Sequence, residues 1–144
     1  MSKSQFQFPS FSNHVKKASQ EVLDSLKDIR MDESILFDIR LCFEEAFINA
    51  AKHGNKNDPR LIIRVDVIKS ERWIEIVICD CGKGFGLEEC QDPTREENLT
   101  KLSGRGIYLI KQLMDEVKFE KNSGCLHMKK NIYKKEPKNA NNQR

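Results

Sequence analysis

Apolar residues return along this chain at two spacings, and the switches between them mark out its elements. Gln5-Phe6-Gln7-Phe8 alternates polar and apolar, which predicts a short edge strand ending at Pro9. From about Ser12 to Ile29 the spacing becomes three or four, through Val15, Ala18, Val22, Leu23 and Leu26, and predicts an amphipathic helix. Asp32 is placed to cap a second, longer helix. Its apolar stripe runs through Ile35, Leu36, Ile39, Cys42, Phe43, Ala46, Phe47 and Ala50. Gly54-Asn55 reads as its end, and Asn57-Asp58-Pro59 as a turn. Residues 61–68 and 73–79 are rich in β-branched side chains and predict two strands joined by a hairpin at 69–72. Residues 87–103 are polar and aperiodic, and a loop of that length inside a compact domain is expected to act as a lid. Gly104 opens a third helix with Ile107, Ile110, Leu113 and Met114 inward. Residues 116–120 and 125–133 predict a last strand pair across Lys121-Asn122-Ser123-Gly124.

Composition adds boundaries rather than chemistry. The 144 residues suit one domain, expected over 1–136, with 137–144 as a mobile polar tail that lacks apolar anchors. With 25 basic and 22 acidic residues the net charge is +3, a mixed surface that does not predict direct nucleic-acid binding. The basic run from Lys129 to Lys138 reads as solvated. No segment approaches the ~20 apolar residues of a membrane span, and no apolar signal core follows Met1, so a cytoplasmic location is expected. Cys42, Cys79, Cys81, Cys90 and Cys125 are odd in number and form no C-x-x-C pair. Free thiols in a reduced compartment are the expectation, and Cys79-x-Cys81 alone does not make a metal site.

Three short stretches carry candidate chemistry. Glu45, Asn49 and His53 are four residues apart, so they stack along one helical row at the edge of the buried stripe. A mid-helix Asn is a poor helix former. Asn49 is either a ligand to a hard cation such as Mg²⁺ or an amide bonded to a neighbouring loop. Asp80 leaves an apolar strand into Gly82 and Gly84. Its carboxylate can accept from an exocyclic amino group such as adenine's, or simply form an Asx turn. Ser103-Gly104-Arg105-Gly106 precedes a helix, where free backbone N–H groups favour anions; a ligand-free glycine start is the alternative. No G-x-x-x-x-G-K-[ST] is present, nor a G-x-G-x-x-G after the first strand.

Together these stretches resemble the GHKL ATPases, and more narrowly the anti-sigma-factor serine/threonine kinases of the RsbW and SpoIIAB type. Glu45-x-x-x-Asn49-Ala50-x-x-His53-Gly54 matches that family's N box. Asp80-x-Gly82-x-Gly84-Phe85 matches its first glycine box, and Gly104-Arg105-Gly106-Ile107 its second. Leu113-Met114-Asp115-Glu116-Val117 is also similar, and the likeness spans about Phe6 to Tyr133. It implies an α+β two-layer sandwich of the Bergerat type, a mixed sheet covered on one face by about three helices. It implies ATP (or ADP) and Mg²⁺ as ligands, with Asn49 on the metal. Glu45 would be the general base, and Asp80 would bond the adenine amino group. Gly82, Gly84 and Phe85 would shape the adenine pocket. Gly104, Arg105, Gly106 and Ile107 would line the phosphate side. Arg105 would either offset γ-phosphate charge or face solvent, and His53 would be structural. The implied activity is phosphorylation of an anti-anti-sigma (STAS) antagonist, coupled to sigma-factor binding, with a homodimer. A non-catalytic nucleotide module that sequesters its partner is the alternative. A detached ATPase domain serving a response regulator or phosphatase is a third reading. Two departures stand out: residues 123–128 offer no Thr where many members contact the nucleotide, and the lid sequence matches no known pattern. His14 lacks the helical hairpin of a sensor kinase, so phosphorylation there is not expected.

Overall fold

The computed structural model describes residues 1–80, 104–120 and 122–132, without the side chain of Arg105. Strands β1 (Ser2–Pro9), β2 (Ile62–Lys69), β3 (Trp73–Cys79), β4 (Glu116–Glu120) and β5 (Cys125–Asn131) form one sheet, ordered β1-β2-β3-β5-β4. Helices α1 (Val15–Asp24), α2 (Glu33–Asn49) and α3 (Gly104–Leu113) pack on one face. The two-layer α+β sandwich is therefore as expected. Its difference is that every described strand pair is antiparallel, where a mixed sheet is expected. The cause is the last hairpin. Gly124, at φ 70°, turns β4 back into β5, which inserts between β3 and β4 and runs against both.

Strand alternation divides the sheet cleanly. Phe6, Val65, Ile78, Leu126 and Phe119 share one cross-strand row, and Val67, Ile76, Met128 and Val117 another; both face the helices. Against them lie Val22, Ile39, Phe43, Phe47 and Ile110, all fully buried. Burial of each such side chain stabilises the fold by roughly 1.5–3 kcal/mol. At the far end of the same face Lys130 reaches between α2 and α3, donating to the Leu113 carbonyl (2.5 Å) and to Asp38 Oδ2 (3.4 Å). The opposite face mixes a small buried apolar cluster of Val77, Cys79 and Cys125 with charged side chains. There His127 meets Glu75 (3.3 Å) and Glu120 (3.1 Å), and Lys129 Nζ lies 4.4 Å from the Trp73 ring.

Two features depart from the sequence expectations. Cys79 and Cys125 lie directly opposite in the β3–β5 register and are joined by a disulfide on the face away from the helices. They are 46 residues apart, and nothing local in the sequence marks the pair. Cys42 is free and buried as expected, and Cys81 and Cys90 lie outside the described residues. The second departure is at the end of α2. Its α-helical bonding stops at Asn49, and the chain continues as a single π-helical turn, Ala50–Gly54, closed by Asn55 N–H to the Ala50 carbonyl (2.9 Å). Asn49 is thus the last α-helical residue rather than a mid-helix one. Asp32 holds the N-cap position with extended backbone, and its carbonyl accepts from Ile35 and Leu36 N–H.

Candidate functional site

Helix α2 carries Glu45 and Asn49 along its edge, beside the buried Ala46 and the fully buried Cys42. The row points toward α3, because the Glu45 side chain lies against Gly106. A Cβ built there would stand 2.5 Å from Glu45 Oε2 and 2.9 Å from its Cγ. Asn49 is half-buried, and its Nδ2 has no hydrogen-bond partner among the described residues. An unpaired buried carboxamide is costly. The unpaired group is an N–H donor, which a phosphate oxygen would satisfy, while the side-chain oxygen is the atom a hard cation takes; on those terms the residue fits a nucleotide with the expected Mg²⁺. Neighbouring Cys42 is pushed up to about 12, first by burial and then by the charge of Asp38. It is a neutral packing group, not a nucleophile.

Asp80 sits at the end of β3, buried, and its N–H donates to the Gly124 carbonyl (3.2 Å). Its side chain rests against Gly54 at the end of the π-helical turn: a Cβ on Gly54 would collide with Oδ2 and stand 2.5 Å from Cγ. The two carboxylates singled out in the sequence, Glu45 and Asp80, are therefore each packed on a glycine of another element. Gly54 was visible in the sequence as a helix stop and as the last position of the N-box likeness, not as the neighbour of Asp80, and Asn55 beside it not at all as a site neighbour. Asn55 is buried, with Nδ2 donating to Ser10 Oγ (2.6 Å) and the Ile62 carbonyl (3.4 Å).

Of the remaining site expectations, Gly104 opens α3 as its sequence suggests. The Ile107 side chain is partly buried against the core, which leaves its backbone for any ligand. His53 is half-buried in the π-helical turn. Gly82, Gly84, Phe85, the lid at 87–103 and the Arg105 side chain lie outside the described residues. No group of three or more His, Cys, Asp or Glu among the described residues could hold a metal by itself. No described helix is long and apolar enough to cross a membrane.

The sheet, covered on one face by three helices, thus carries the acid–amide row on its longest helix and an acidic strand end at Asp80 beside it. The chain belongs to the histidine kinase-like ATPase domain family, whose model matches residues 8–130. Nucleotide binding follows from that membership. The chain is 35% identical over 113 residues to an anti-sigma F factor of Geobacillus kaustophilus (strain HTA426), covering 74% of this chain and 75% of that one. It is 36% identical over 110 residues to a serine-protein kinase RsbW of Staphylococcus aureus (strain Newman), covering 71% and 69%. A serine-protein kinase RsbW of Oceanobacillus iheyensis is 34% identical over 97 residues, covering 63% and 61%.

Proposed function

We propose that this chain is an anti-sigma-factor-type serine/threonine protein kinase acting as one domain over residues 1–136. It binds ATP with Mg²⁺ and phosphorylates a Ser or Thr of an anti-anti-sigma STAS protein. In its other state it binds a sigma factor, so that phosphorylating the antagonist frees the kinase to hold sigma. A homodimer in the cytoplasm fits this scheme. The observation that carries the proposal is the pairing of Glu45 with Asn49 on one helical row facing α3, in a chain related to proteins named serine-protein kinase.

Each residue then has a defined task. Glu45 accepts the proton of the attacking hydroxyl. Asn49 would present its side-chain oxygen to Mg²⁺, and the ion would supply charge neutralisation for the phosphates. Asp80 accepts from the adenine amino group. Gly82, Gly84 and Phe85 line the base pocket, and Gly104, Arg105, Gly106 and Ile107 the phosphate side. Little covalent work is needed from the protein, because phosphoryl transfer depends mainly on position and charge.

The test is γ-phosphate transfer to STAS proteins from the source cell, comparing the natural chain with Glu45→Ala. Transfer should fall by about 10²–10⁴-fold while ATP binding persists. A natural chain that binds ATP yet phosphorylates none of them would replace the kinase with a sequestering nucleotide module.

A further inference from the structure

The side chain of Asp80 has one neighbour whose identity is dictated by space alone. Among the described glycines only Gly124 has a positive φ, so the backbone at Gly54 suits any L-residue. What forbids a side chain there is Asp80. A Cβ on Gly54 would stand 2.7 Å from Asp80 Cβ, 2.5 Å from Cγ, and in collision with Oδ2. Neither backbone has room to retreat. Gly54 is followed by buried Asn55, tied to Ser10 and to the start of β2, and it ends a turn closed by the Asn55–Ala50 bond. Asp80 is held by its N–H bond to Gly124, and Cys79 before it is cross-linked to Cys125. The Asp80 side chain is the part that must give way.

We propose that Gly54 is a positioning residue that sets base selectivity: its missing side chain is the space in which the Asp80 carboxylate is aimed at the base. This rests on Asp80 being the adenine-reading group. The π-helical turn is what brings position 54 under the strand end. A nucleobase bearing an amino group at the position Asp80 addresses is selected, and one bearing a carbonyl there is rejected, because two acceptors would then face each other.

The experiment measures dissociation constants for ATP and inosine triphosphate, which carries oxygen in place of the amino group, with the full chain. The natural protein should prefer ATP by about ten- to a hundredfold. Gly54→Ala should lose that preference to the same extent as Asp80→Ala, which leaves no acceptor there, with inosine triphosphate binding no weaker than in the natural chain and the circular dichroism spectrum intact. If Asp80→Ala discriminates as well as the natural chain, Asp80 does not read the base and the site assignment itself fails. If Asp80→Ala loses discrimination but Gly54→Ala keeps it, the site assignment stands and the role of Gly54 is overturned. Should Gly54→Ala fail to fold, the swap Gly54→Ala with Asp80→Gly removes the colliding side chain. Recovery of the fold supports the packing assignment, and continued failure overturns it.

Discussion

Cys42 shows how one side chain can report on the layer beneath the site. It is fully buried, on the helix face that also carries Asp38 and Glu45, and burial pushes its thiol from an ordinary 9.0 up to about 12. The folded chain therefore holds a proton that the unfolded chain releases above pH 9. The stability this represents is complete below the ordinary value and lost as pH rises toward 12, with roughly 1 kcal/mol gone at pH 10. Urea midpoints between pH 8 and 10.5 should fall less steeply for Cys42→Ala than for the natural chain; equal slopes would show that the thiol does not titrate in this range. At this scale much was legible in the sequence. Glu45, Asn49 and Asp80 were each singled out from residue type and spacing. The contact of Gly54 with Asp80 was not, because a close approach between residues far apart in sequence leaves no local pattern.

At the scale of elements, α3 trades helical propensity for room. Gly106 lies inside the helix, where alanine would stabilise by roughly 0.5–1 kcal/mol, yet its Cβ would stand 3.0 Å from Glu45 Cδ and closer to Oε2. Gly106→Ala should therefore keep or raise the thermal midpoint while slowing phosphoryl transfer by about 10²-fold, the cost of displacing the general base proposed at Glu45. Equal loss of both would mark Gly106 as merely structural. The element bounds divide in the same way between local and non-local causes. β3 and β4 begin and end where their composition changes, at Trp73–Cys79 and Glu116–Glu120. The first helix is shorter than its periodicity suggests, Val15–Asp24, and is preceded by a 3-10 turn at Ser12–His14. The π-helical turn at Ala50–Gly54 was illegible, since it continues the helical pattern and differs only in which carbonyl each N–H reaches.

For the whole molecule, the two-layer sheet-and-helix architecture was legible through the family resemblance, whereas a mixed sheet was expected and the described pairs are all antiparallel, because the last hairpin returns β5 between β3 and β4. The cross-link was not legible, because pairing Cys79 with Cys125 requires knowing that β5 enters beside β3. Closing a loop of that length is worth about 2–4 kcal/mol through the unfolded chain. Unfolding in urea with and without a thiol reductant should differ by that amount, and identical midpoints would mean that the bond adds no net stability. The same bond changes the connectivity of the polypeptide. Everything between its ends, including α3, β4 and the expected lid, belongs to a closed covalent ring rather than an open string. A single peptide-bond cut anywhere within that ring leaves both halves of the chain joined, so a nicked molecule keeps its full mass until the sulfurs are reduced.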